Sequence, residues 1–199
     1  MTDLDSPEYQ TYLKDQVGDN LSESFDSKYL AILEKLIPDF NFSSTKIIDV
    51  GTRKFDSWEY FIEKYSNEIT GIDVGAEGIE HCRKHNKKGF IELDAHRLRE
   101  KFDAATFDLV IAFHSFEHMY DLPLVLRQCH EILKPGGFIF FALPIPSYNW
   151  MKGHWYDVPS EEAMIDLCKA AGFKRIVYSE RYTDLRIRPE PEMVALLEA

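Results

Sequence analysis

Lys46-Ile47-Ile48-Asp49-Val50-Gly51 decides how the rest of the chain is read. A short β-branched run halted by glycine reads as a buried strand entering a tight turn. Outward from it, runs of the same kind recur. Ile69-Thr70-Gly71-Ile72-Asp73-Val74, Gly89-Phe90-Ile91-Glu92-Leu93-Asp94 and Phe107-Asp108-Leu109-Val110-Ile111-Ala112-Phe113 predict the second, third and fourth strands. Phe138 to Leu143 predicts a fifth, and Ile176-Val177-Tyr178 a sixth. Between the strands the apolar spacing turns helical. Trp58, Phe61, Ile62 and Tyr65 follow a candidate N-cap, Ser57, and residues 76–86 form a polar helix carrying Ile79 and Cys82. Leu122, Val125, Leu126, Cys129, Ile132 and Leu133 make an amphipathic helix closed by Lys134-Pro135-Gly136-Gly137. Met164, Leu167, Cys168 and Ala171 make another, between Ser160 and Gly172. Ahead of the first strand, Phe25, Tyr29, Leu33, Leu36 and Ile37 recur at helical spacing until Pro38.

Residues 1–24 read as a polar, irregular N-terminal extension, with Tyr9, Tyr12 and Leu13 as anchors that pack over the domain or order on binding. Residues 25–199 form the domain itself. The tail from Met193 to Leu197 fits strand or helix by propensity. Strand–helix alternation with near-continuous apolar strands predicts a doubly wound α/β fold, a mostly parallel sheet covered on both faces. Crossover handedness puts the carboxyl ends of the parallel strands on one edge, and ligands of such sheets bind there.

Composition narrows the function. Of 199 residues, 45% are hydrophobic and 14% aromatic, enough for a sizeable core and against wholesale disorder. A net charge of −11 makes nucleic acid an unfavourable partner. Cys82, Cys129 and Cys168 are far apart and odd in number. They speak against a disulfide framework or thiolate zinc site and fit a reducing cytosol. No basic-then-apolar leader opens the chain, and no apolar run approaches the ~18 residues of a membrane span. The expectation is a cytoplasmic protein with no membrane partner.

Three successive strands end in an aspartate: Asp49, Asp73 and Asp94. An acid at the end of the second strand, about 20 residues past a first-strand glycine, is the ribose-diol position of nucleotide-binding sheets. Alone, each aspartate more often caps a turn; three in consecutive units point to a nucleotide.

These residues, together with Phe107-Asp108-Leu109-Val110, Phe116-Glu117-His118-Met119 and Ile132-Leu133-Lys134-Pro135-Gly136-Gly137, resemble the class I S-adenosylmethionine-dependent methyltransferases, type 11 members above all. The resemblance covers about residues 45–180. It implies a Rossmann-like, seven-stranded sheet with an antiparallel C-terminal hairpin, making Glu192–Ala199 a strand. It implies S-adenosyl-L-methionine as cofactor, with Asp49 and Gly51 near its methionine end. Asp73, followed by Val74, would hold the ribose hydroxyls, and Asp94 and Ala95 the adenine edge. Phe113 and His114 would border the reacting methyl. The sequence departs from the family in one turn, Gly51-Thr52-Arg53-Lys54-Phe55, which keeps only the first glycine. Either Arg53 or Lys54 pairs with the cofactor carboxylate, or the loop is degenerate and the chain is a weak or non-catalytic binder. The missing Gly-x-Gly-x-x-Gly disfavours a nicotinamide-dependent oxidoreductase.

An oxygen acceptor needs a proton acceptor, or a metal that lowers its pKa. His114 and His154 are the candidate bases. His114, Glu117, His118 and His154 also resemble the Glu-x-x-Glu-His plus later His of small-RNA 2′-O-methyltransferases, and a related stretch of the ubiquinone O-methyltransferases. Histidine replaces the first glutamate here, and no metal is assigned, although these four are the candidate ligands. Pro144 to Ser160 should overhang the cleft. Tyr148, Trp150, Trp155 and Tyr156, with His154, are the candidate substrate contacts, rigid platforms for a sugar or planar ring. The basic helix 76–88 reads as a solvated face. The expected function is methyl transfer to a small or medium acceptor, a sugar or phenolic hydroxyl first.

Overall fold

Ile47–Val50 forms β1, and all four residues are buried. In the computed structural model, which describes residues 3–17, 27–52, 69–84, 89–147, 149, 153–182 and 191–199, this strand lies inside a seven-stranded sheet, next to the central strand. The others are β2 (Ile69–Asp73), β3 (Phe90–Glu92), β4 (Phe107–Phe113), β5 (Leu133–Pro144), β6 (Arg175–Tyr182) and β7 (Glu192–Glu198). Their order is β3-β2-β1-β4-β5-β7-β6. β1 pairs in parallel with β2 and β4, while β7 runs antiparallel between β5 and β6. The tail is therefore a strand, the second arm of the expected hairpin.

The described helices are α1 (Pro7–Val17), α2 (Ser27–Leu36), α3 (Ala76–Lys84), the single turn α4 (Leu98–Lys101), α5 (Leu122–Ile132) and α6 (Glu161–Ala171). The sheet's pleat sorts its side chains between two apolar layers. Ile48, Val110, Ile139 and Phe141 face α5 and α6 through Leu126, Cys129, Met164 and Cys168. Ile47, Leu109, Ile111 and Phe140 face α2 and α3 through Tyr29, Leu33, Ile79 and Cys82. Caps set the helix limits. Asp121 accepts from Leu124 N at 2.9 Å and Ser160 from Ala163 N at 3.2 Å, and Gly172 ends α6 with φ +118°.

Three expectations change. The polar N-terminal extension contains a helix, α1, because Tyr9 and Tyr12 supply one buried face at 0% and 2% exposure. The third strand is only three residues long, since Asp94 turns inward to cap a 3-10 turn, Ala95–Arg97. The Lys134-Pro135-Gly136-Gly137 turn lies inside β5: Leu133 already pairs with Phe107, and regular pairing resumes at Leu109 with Phe138. The helix expected around Trp58, Phe61, Ile62 and Tyr65 lies outside the described residues. Among the described residues, no helix is long and apolar enough to cross a membrane.

Candidate active site

The carboxyl edge of β1, β2, β3 and β4 gathers the strand-end residues. After β1, the chain turns at Gly51 with φ +81°, where a side chain would put its Cβ 2.5 Å from that of Ser115. Gly51 N and Thr52 N both donate to Ile72 O, and Ser115 Oγ donates to Val50 O at 2.8 Å, so the turn is held from two sides. Asp49 is buried inside β1. At the end of β2, Asp73 Oδ1 accepts from Gly75 N at 2.7 Å and stays half-buried, with Val74 beside it. Both Asp94 oxygens are engaged. Oδ1 accepts from His96 N at 2.9 Å and lies 2.7 Å from His96 Nδ1, while Oδ2 accepts the Tyr9 hydroxyl. Ala95 is buried beneath this contact.

These features allow a test of the adenosyl group on the structure. Thr52 Oγ1, in the turn after Gly51, is buried with no hydrogen-bond partner among the described residues. A buried hydroxyl left unmatched fits a polar ligand arriving there. A Cβ on Gly75 would come 3.0 Å from Asp73 Oδ1, a tight contact. The buried Thr52 hydroxyl at the first strand end and the half-buried Asp73 carboxylate at the second are groups that suit an adenosyl ligand. At the third, Tyr9 stands where the adenine edge was expected.

Behind β4 lies a buried ionic knot. His114 adopts φ +48°, a left-handed backbone that histidine tolerates better than most residues, and its N–H donates to Ala142 O at 2.7 Å. Its Nε2 lies 3.0 Å from Glu192 Oε2 and its Nδ1 3.6 Å from Glu117 Oε1. Tyr29 donates its hydroxyl to Glu192 Oε2 at 2.7 Å, its oxygen 3.1 Å from His114 Nε2, and its ring stacks on Phe113 at 4.8 Å. Burial works against a charged imidazole, but the hydrogen bonds and charges of Glu117 and Glu192 prevail and raise His114 to about 9. Burial likewise opposes the Glu117 carboxylate, yet His114 and His118 hold it below its ordinary range. Glu192 is a residue that sequence reading passed over. The one signal was an acid entering an otherwise apolar strand, Glu192-Met193-Val194-Ala195-Leu196-Leu197.

On the other side of Glu117 is the loop after β5. Ser147 and Val158 pair as an isolated bridge, and Asn149 N donates to Asp157 Oδ1 at 2.6 Å, folding the loop back on itself. Trp155 N donates to Glu117 O at 3.0 Å, which fastens the loop beside the knot. His118 Nδ1 lies 2.6 Å from Gly153 O, and His154 Nδ1 lies 2.8 Å from Ser147 Oγ. The two imidazoles meet edge to face at 5.1 Å. Glu117, His118 and His154 offer ligand atoms that all lie within 4.8 Å of one another, and Glu117 Oε2 is buried with no hydrogen-bond partner among the described residues. Thus three of the four candidate ligands converge, while His114 is turned toward the two glutamates. Trp155 packs on Tyr12 and Tyr120, and Tyr156 lies half-buried against the core. Arg53, Lys54, Tyr148 and Trp150 fall outside the described residues.

Residues 48–141 match the family model described as "Methyltransferase domain". A ubiquinone biosynthesis O-methyltransferase of Colwellia psychrerythraea is 30% identical over 127 residues, 61% of this chain and 51% of that protein. The chain thus spans about half the length of the curated relatives it matches. An S-adenosylmethionine-dependent methyltransferase from Mesorhizobium loti superposes with a TM-score of 0.69 at 16% identity, over 85% of this chain and 96% of that one. The [4+2]-cyclase SpnF superposes with a TM-score of 0.72 at 15% identity, over 91% and 85%. These two likenesses carry the fold alone. Residues 48–141 thus match a methyltransferase domain, and the sheet that carries them has the fold of solved S-adenosylmethionine-dependent methyltransferases.

Proposed function

We propose that the chain transfers the methyl group of S-adenosylmethionine to an oxygen of a small or medium acceptor, with His154 taking the acceptor's proton. The observation that carries this is the convergence of His154, His118 and the buried Glu117 beside the carboxyl edge of β4. The likeness to ubiquinone biosynthesis O-methyltransferases over about half their length supports the oxygen acceptor. Bound in the cleft, the sulfonium supplies a methyl already activated for displacement, so the chain mainly provides proximity and alignment. Asp73 would accept from the ribose hydroxyls, and Thr52 Oγ1 and the Gly51 turn would hold the methionine end. Ser147 Oγ, 2.8 Å from His154 Nδ1, steadies the imidazole that takes the proton. His114 holds its proton between two carboxylates, so its part is to orient Glu117. Trp155 and Tyr156 wall the acceptor side. Radiolabelled cofactor tested against phenols, sugars, amines and carboxylic acids decides the reading. Methylated phenol or sugar is expected, with His154→Ala slower by roughly 10²–10⁴; transfer to amines alone overturns it.

A second reading has its own observation. Glu117, His118 and His154 match a two-histidine, one-carboxylate set, which suits a divalent ion. A bound ion there would lower the pKa of the acceptor hydroxyl. Elemental analysis of the purified chain, before and after dialysis against chelator, tests it. A stoichiometric metal lost together with activity supports this reading, and full activity without metal removes it.

A further inference from the structure

We propose that Tyr9, carried by α1, is an internal competitor for the nucleobase: its hydroxyl occupies the Asp94 oxygen that an adenine amine would use, so Tyr9 sets the affinity for the cofactor. The inference rests on the reading that this cleft takes an adenosyl group.

Several observations converge on it. Tyr9 and Tyr12 are 0% and 2% exposed, although both lie on an 11-residue helix of polar composition. Tyr9 donates to Asp94 Oδ2, and Oδ1 is already taken by His96. Tyr12 is close enough to feel the charge of Asp73. α1 therefore lies across the ends of β2 and β3, over the span between a ribose site and an adenine site. The rings around it are shared. Tyr9 meets the edges of His96 and Tyr120 at 5.3 and 5.4 Å, and Tyr12 meets Trp155 at 5.4 Å. A nucleoside that reaches Asp94 has to separate these rings and free the carboxylate. Asp94 is a strong acceptor because a bond to a charged group is worth more than a neutral one. Giving it up is a real cost to the incoming ligand.

Calorimetric titration with S-adenosylhomocysteine tests this on the full chain and on Tyr9→Phe. The phenyl ring keeps the packing and removes the hydroxyl, and thermal unfolding without ligand verifies that the variant folds. Tyr9→Phe should bind about tenfold more tightly than the parent, since the resting contact is gone. Hydrogen exchange across residues 7–17 should speed up in the parent when the ligand binds. Unchanged or weaker binding by Tyr9→Phe overturns the proposal, because Tyr9 would then be neutral or a ligand of the nucleoside. So does slower exchange in α1, the mark of a lid closing over its cofactor. If neither protein binds, the cofactor reading fails and the proposal falls with it. Binding by the parent without a Tyr9→Phe effect sinks the proposal alone.

Discussion

At the scale of single residues, electrostatics separates His114 from His154. His114 sits between Glu117 and Glu192 and is raised to about 9, so at neutral pH it stays an imidazolium and has no lone pair for an acceptor's proton. Its value is structural, and Glu192 should show it. Breaking a buried ion pair from one side leaves an uncompensated charge, which costs about 3–5 kcal/mol. Glu117 remains as a partner, so Glu192→Gln should fall at the lower end, about 3 kcal/mol by urea unfolding. A loss well under 1 kcal/mol would mean that the knot carries no net stability. Asp73 makes the contrasting case, a half-buried carboxylate that accepts from Gly75 N and is proposed to hold the ribose. Asp73→Ala should weaken S-adenosylhomocysteine binding by about 1–3 kcal/mol through lost hydroxyl bonds. Calorimetry with an unchanged dissociation constant removes the ribose assignment.

Elements show where sequence periodicity carries information and where it stops. β1, β2, β4 and α5 were legible because strands buried on both faces read as continuous apolar runs and a half-buried helix reads as a stripe. The Ser160 and Gly172 limits of α6 were equally plain, being local hydrogen-bond chemistry. Ser160→Ala should cost about 1 kcal/mol of unfolding free energy, with a matching drop in denaturation midpoint. α1 was not legible. Its buried face consists of two tyrosines on a polar segment, and what buries them is His96, Tyr120 and Trp155, up to about 143 positions away along the chain. The same holds for the site. The runs that carry Asp49, Asp73 and Asp94 were plain in the sequence, although Asp49 lies within β1 and Asp94 beyond β3, but the Tyr9 contact to Asp94 and the Glu192 contact to His114 depend on tertiary placement. No spacing rule joins residues 85 or 78 positions apart.

For the whole molecule, the sheet order puts the carboxyl ends of β1 to β4 together, and β7 returns beside β5 to bring Glu192 against His114. Ligand and fold are thereby coupled, because a cofactor bridging Thr52, Asp73 and Asp94 would tie together three separate strand ends. A ligand that binds only the folded chain stabilises it by RT ln(1 + [L]/Kd), about 2.7 kcal/mol at a hundredfold excess over Kd. For a chain of this size each kcal/mol moves the melting midpoint by about 2–4 °C, so saturating S-adenosylhomocysteine should raise it by about 5–11 °C. Asp73→Ala should retain only part of that shift at the same concentration, and adenosine alone should give less than the full nucleoside–amino acid ligand. Differential scanning fluorimetry reads all three in one plate. A midpoint that ignores S-adenosylhomocysteine at millimolar concentration would mean that the three strand ends do not act as one site, whatever the sheet resembles.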